Sequence, residues 1–204
     1  MLAVAAQAAS AQFFVPWNRA PAVTIVANAD DPRIALVEEA LAFWNRTLEE
    51  LGSGFRLGPV TRVDQPIPES ALQWMSSSIV GSGGRRPEIP QELRDLPGEL
   101  TVFLAQSGFV SFAGPFDANG RRLVAIRSLG FPLNLPNVAR NVIAHEMGHA
   151  IGLGHNADYS LLMCGRPASC RPREFQSDQP RIFPLAAEEK QLLLRLYPAD
   201  WKPR

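Results

Sequence analysis

All three histidines of the 204-residue chain fall in one stretch, His145-Glu146-Met147-Gly148-His149-Ala150-Ile151-Gly152-Leu153-Gly154-His155. On a helix, residues four apart share a face, so His145 and His149 can direct their imidazoles at one ion. Glu146 lies roughly 100° round from His145, beside such an ion rather than on it, where a general base would stand. Gly152 can take a positive φ and end the helix, which lets the chain double back and bring His155 in as a third ligand. Three neutral imidazoles and a water form a catalytic zinc set with one coordination position open to chemistry. A closed structural site normally uses four protein ligands, often thiolates, and no fourth is evident here. The plain alternative, a pair of ordinary helix histidines, does not account for the glycine and third histidine at their fixed offsets. One Zn2+ per chain is therefore expected.

Those residues need a frame. Pro136-Asn137 offers a cap for the histidine helix, and Ile143, Met147 and Ala150 fall opposite the histidines, so one side can pack on a sheet while the other faces a cleft. Strands are expected at 22–26, 54–60, 100–105 and 122–127, the last short and ended by arginines as suits a sheet edge. Ile34, Val37, Leu41, Trp44, Leu48 and Leu51 recur at steps of three and four and predict a long amphipathic helix, preceded by a turn and proline at 28–32. Residues 64–98 read as an irregular insertion with one helical piece over 69–80, in which Trp74 and Met75 belong to a satellite core. The 109–120 segment reads as a turn-rich loop. Its Asp117-x-Asn119-Gly120 is a plain turn, because the later acidic ligands of a calcium loop are missing. Leu185, Leu192, Leu193, Leu196 and Tyr197 predict a final helix of mainly structural use, stopped by Pro198.

Composition narrows the function. Hydrophobic residues make up 46 %, enough for a real core, and 20 Lys+Arg balance 20 Asp+Glu. That balance gives no electrostatic reason to expect nucleic acid or an anionic membrane as partner, and no apolar run reaches the length of a membrane span. Residues 1–16 read as a signal remnant or a flexible N-terminus, with Ala9-Ser10-Ala11 in the A-x-A form of a cleavage site. The expected location is therefore secreted or periplasmic. Cys164 and Cys170 could close a small disulfide loop in such a compartment; a thiol pair binding metal and two free thiols are the alternatives.

The stretch from His145 to His155 has the form H-E-x-x-H-x-x-G-x-x-H and so resembles the metzincin motif. Met163 stands eight residues after His155, with Asp158 between them, and this resembles the matrixins, the matrix-metalloproteinase-like peptidases. Asn141-Val142-Ile143-Ala144 and the L-x-x-E-E-x-x-x-L-x-x-L-Y run from Leu185 to Tyr197 resemble them as well. The likeness spans 17–197, within an expected catalytic domain of 17–200. It departs from the family where Cys164-Gly165 replaces the usual Tyr-Pro, and in having no histidine outside the motif for a second, structural zinc.

The resemblance implies an α+β zincin fold: a twisted mixed sheet of about five strands on helices, an active-site helix, a Met-turn and a small C-terminal subdomain with a final helix. It implies His145, His149 and His155 as zinc ligands, Glu146 as general base, and Met163 as the Met-turn residue. Val124, Ala125 and Ile126 would form the edge strand that pairs with an extended polypeptide substrate. Ca2+ is compatible but unplaced, and a monomer is expected. The implied activity is zinc-dependent endopeptidase action. A catalytically idle zincin module, or a zinc hydrolase of another amide or acyl substrate, is the alternative.

Overall fold

The computed structural model describes residues 15–80, 90–117, 119–165, 177 and 179–204. In chain order the elements are β1 (Val23–Val26), α1 (Arg33–Glu50), β2 (Val60–Val63), α2 (Glu69–Val80), α3 (Gln91–Arg94), β3 (Leu100–Leu104), β4 (Phe112–Pro115), β5 (Arg122–Ile126), α4 (Pro136–Ala150) and α5 (Ala187–Leu196). The strands form one sheet in the order β2-β1-β3-β5-β4, parallel throughout except for β4, which runs antiparallel to β5.

The central strands are covered on both faces, which is why they read as unbroken apolar runs. Ile25, Val102, Val124 and Ile126 point into a large core shared with α1, α4 and α5. Val26, Phe103, Leu123 and Ala125 point the other way, into a smaller core closed by Leu72 and Met75 of α2 and by Leu93 of α3. The satellite-core expectation thus holds for Met75 but not for Trp74, which is 42 % exposed.

The apolar stripe of α1 is buried as its periodicity predicts, with Val37, Trp44 and Leu48 fully enclosed. Trp44 also donates its indole Nε1–H to the carbonyl of Ala144 in α4 at 3.0 Å, fixing the two helices against each other. At the start of α1, Asp31 accepts from the backbone and guanidinium of Arg33. Arg33 in turn donates to the carbonyls of Leu104, Ala105 and Arg127 at the ends of β3 and β5. Burial alone would raise the Asp31 carboxyl, but its bonds to Arg33, the Arg33 charge and Gln106 hold it below the usual carboxylate range.

Three expectations need correcting. The second strand lies at Val60–Val63 rather than over 54–60. Before it, Leu57 spends both backbone groups on the Asn45 side chain, at 2.8 and 3.0 Å, in place of a strand partner. Next, 109–120 contains β4, hidden because its Gly114-Pro115 spells a turn; proline is tolerated there because the strand is an edge. Consequently Val124, Ala125 and Ile126 do not lie on the edge. Their strand sits between β3 and β4, and the edge belongs to Phe112–Pro115. Asp117 is used up by the β4–β5 turn, where its Oδ1 accepts from the N–H groups of Asn119 and Arg121, on either side of Gly120 at φ +85°.

Candidate metal centre

The helix α4 carries a stripe of polar residues at spacing four, Asn137, Asn141, His145 and His149, on one face. Opposite, Ile143, Met147 and Ala150 are fully buried. Asn137 does not cap the helix as expected; Leu135 occupies that position without a side-chain cap. Instead the Asn137 and Asn141 amides bind the backbone of the returning segment. Asn137 donates to the carbonyls of Ser177 and Gln179, while Asn141 donates to that of Arg181 and accepts from the N–H of Phe183. That segment reaches the histidines through Leu162, whose N–H donates to the carbonyl of Pro184 at 2.9 Å.

Each helix histidine is oriented from behind. His145 Nδ1 meets the carbonyl of Leu162 at 2.8 Å, and His149 Nδ1 meets that of Leu153 at 2.7 Å. A carbonyl only accepts, so the proton sits on Nδ1 and the Nε2 lone pair faces the cluster. The third imidazole arrives through the reversal at Gly152, which adopts φ +108°. His155 Nε2 then lies 3.2 Å from His145 Nε2 and 2.9 Å from His149 Nε2.

Ligands about 2.0–2.1 Å from a tetrahedral zinc stand roughly 3.3–3.4 Å apart, so these spacings fall within a few tenths of an ångström of a zinc set. Three lone pairs so close repel unless an ion or a proton lies among them. The residues present fit the metal, and among the described residues this cluster can hold one. His149 is buried and His155 exposed, so the set opens toward solvent on one side. Glu146 lies between the two helix ligands in sequence and is largely buried. Burial, outweighing the Leu153 carbonyl and helped by His155, lowers His149 to about 4, which keeps it neutral and able to coordinate.

Met163 is fully buried, with its sulfur against Gly148 of α4. A Cβ at Gly148 would stand 2.5 Å from the Met163 sulfur and 2.9 Å from Trp44, so only glycine lets the helix seat this closely. A Cβ at Gly165 would stand 2.6 Å from the His155 ring, so glycine is required there too. The His155 loop is tied to the Met163 segment by two backbone bonds, Asn156 N–H to the Met163 carbonyl and Gly165 N–H to the Asn156 carbonyl, both 2.9 Å.

From α5, the fully buried Glu189 accepts the Asn156 Nδ2–H at 2.6 Å through one oxygen and the Ala186 N–H at 2.8 Å through the other. Burial raises the Glu189 carboxyl, and these two bonds oppose that. Sequence reasoning missed the contributions of Gly148, Gly165, Asn156 and Glu189. The available signal was the glutamate three residues after Ala186 at a helix start, the position that reaches back to a backbone N–H. Among the described residues no cysteine is free, and Cys164 is buried. Cys170 lies outside the described residues.

Two outcomes are expected. Because the folded pKa of His149 lies below its unfolded value near 6.5, the neutral ring contributes stability that is present above pH 6.5 and is lost as pH falls through about 4. Urea unfolding of the metal-free chain should therefore show a loss of about 3 kcal/mol over that window, beyond the loss in His149→Gln. A parallel decline in the two proteins would count against a buried neutral His149. Separately, Glu189→Gln leaves one buried donor facing another, costing about 1–3 kcal/mol. Adding Asn156→Asp reverses the amide and carboxylate and restores every bond, including that from the Asp158 N–H to Oδ1 of residue 156. Stability and zinc retention should recover in the double variant; a double variant no better than Glu189→Gln would contradict this pairing.

Neither family models nor curated proteins match the chain. Among solved structures it is similar to the archaemetzincin of Methanopyrus kandleri, at 17 % identity and a TM-score of 0.48, over 88 % of this chain and 96 % of that one. The likeness is distant.

Proposed function

We propose that the protein is a zinc-dependent endopeptidase of the matrixin-like kind its motif resembles. The observation that carries the proposal is the convergence of three Nε2 atoms, two of them on imidazoles backed by carbonyls, on the helix that also bears Glu146. When bound, zinc supplies Lewis acidity that favours ionisation of water and stabilises charge on a carbonyl oxygen. Glu146 is the general base in this reading, taking the proton of the attacking water and passing it to the leaving amine nitrogen.

The strand β4 takes the substrate-pairing role first assigned to β5. It packs against α4, and its outer edge offers backbone N–H and C=O groups to an extended peptide lying beside Glu146. Met163 serves as the Met-turn residue, an apolar floor that its burial beneath Gly148 supports.

We also read Cys164 and Cys170 as an intramolecular disulfide, in keeping with an exported protein; the absence of a free thiol at Cys164 supports it. Alkylation followed by intact-mass measurement should label no thiol before reduction and two after. Two labelled thiols in the unreduced protein would exclude the pairing.

The central test measures zinc content and peptide turnover together. Glu146→Gln should keep parental zinc content and lose turnover by at least about 10²-fold, since it removes the base and no ligand. His149→Ala should lose zinc and turnover together. Near-parental turnover in Glu146→Gln would remove Glu146 from the chemistry. A zinc-loaded parent that cleaves no member of a peptide library would favour an idle module or a hydrolase of another acyl substrate.

A further inference from the structure

The turn from His149 to His155 begins where α4 ends, and the last carbonyls of that helix are deeply buried: Ala150 and Ile151 are fully enclosed. A buried carbonyl without a donor is costly, so each must be satisfied from elsewhere. The donors come from three remote parts of the chain. The Trp17 indole Nε1–H reaches the Ala150 carbonyl at 3.0 Å, and the Arg122 Nη1–H reaches the same oxygen at 2.5 Å. The Tyr197 hydroxyl donates to the Ile151 carbonyl at 2.9 Å and accepts the backbone N–H of Trp17 at 3.3 Å.

The group is packed as well as bonded. The Arg122 guanidinium lies 3.9 Å over the Trp17 ring and also bonds the Val15 carbonyl. The Tyr197 ring stacks on Phe55 with centroids 4.0 Å apart. Burial pushes the Tyr197 phenol up, opposed by the Trp17 N–H and the Arg122 charge, so the hydroxyl keeps the proton it donates.

We propose that Tyr197, with Trp17 and Arg122, is a positioning residue of the metal centre: the three donors fix the helix end from which the chain reverses to present His155 to His149. The proposal rests on the metal-binding reading of the histidine cluster. Its physical basis is a difference between the metal-free and metal-loaded chain. Without an ion, the imidazole lone pairs repel and no ligand bond draws the exposed His155 toward His149, so the start of the turn has latitude to shift and the two carbonyls to find other partners. With an ion, His149 and His155 must keep their nitrogens about 3 Å apart, and Leu153 must keep its carbonyl on His149 Nδ1. Removing a donor therefore penalises the loaded form more than the empty one, and the difference appears as lost metal affinity.

Tyr197→Phe keeps the ring on Phe55 and removes only the hydroxyl. Zinc dissociation constants from competition with a chromophoric chelator should rise at least ten-fold, about 1.4 kcal/mol, and the visible spectrum of the Co2+-loaded protein should change. Trp17→Phe, which removes one of two donors to Ala150, should raise the constant several-fold and covers the case in which Tyr197→Phe does not fold. Leu192→Ala supplies the comparison, since it loosens the same helix in the core and removes no donor to the end of α4. It should lower thermal stability and leave zinc affinity unchanged. The proposal is overturned if the tyrosine and tryptophan variants lose stability equally with and without zinc at constant affinity. It is also overturned if Leu192→Ala weakens zinc binding as much as they do. A parent that binds no zinc would instead refute the metal-binding reading itself.

Discussion

Everything at this centre depends on holding three imidazole lone pairs together, with His155 Nε2 about 3 Å from each of the other two. Nothing intrinsic to a helix or a turn does that. A helix brings His145 and His149 onto one face but leaves each ring free to rotate and to choose its tautomer. The Leu162 and Leu153 carbonyls remove both freedoms. The framework's task is thus to fix two carbonyl oxygens and one returning loop, and most of the buried polar bonding near the cluster serves that end.

That bonding converges from separate layers. Asn137 and Asn141 hold the returning segment that supports Leu162, Glu189 holds Asn156, and Trp44 locks α4 onto α1. Each of these side chains answers a backbone or amide group of a different segment and so ties that segment to the cluster's frame. The two close-packed glycines have a complementary function, since Gly148 and Gly165 matter for the volume they leave to Met163 and His155. Polar satisfaction and steric clearance together define the cluster more narrowly than either does alone.

What the sequence disclosed follows from distance along the chain. The histidine spacing is a local property of one helix and one reversal, so the cluster could be read directly, as could the stripe of α1. The second strand was misplaced because the Asn45 amide, twelve residues away, takes the Leu57 backbone. The edge was misassigned because strand order is decided between segments, and β4 is disguised by Gly114 and Pro115. The support for His155 was out of reach for the same reason, with Glu189 lying 33 residues from Asn156. Tyr197 looked like an ordinary apolar position at the end of a final helix, since nothing local to it announces a carbonyl 46 residues upstream.

The hydrogen bond between the Trp17 backbone and the Tyr197 hydroxyl spans 180 positions. A chain made from its N-terminus emerges at about 5–20 residues per second, so Trp17 waits on the order of ten seconds or more before its partner exists. During that interval the α4 end and the histidine turn can form, but the helix end lacks one of its donors. Contacts of such long range also carry the greatest loop-closure cost and are slow to reward it. The order of synthesis therefore places completion of the scaffold around the histidines among the last events of folding.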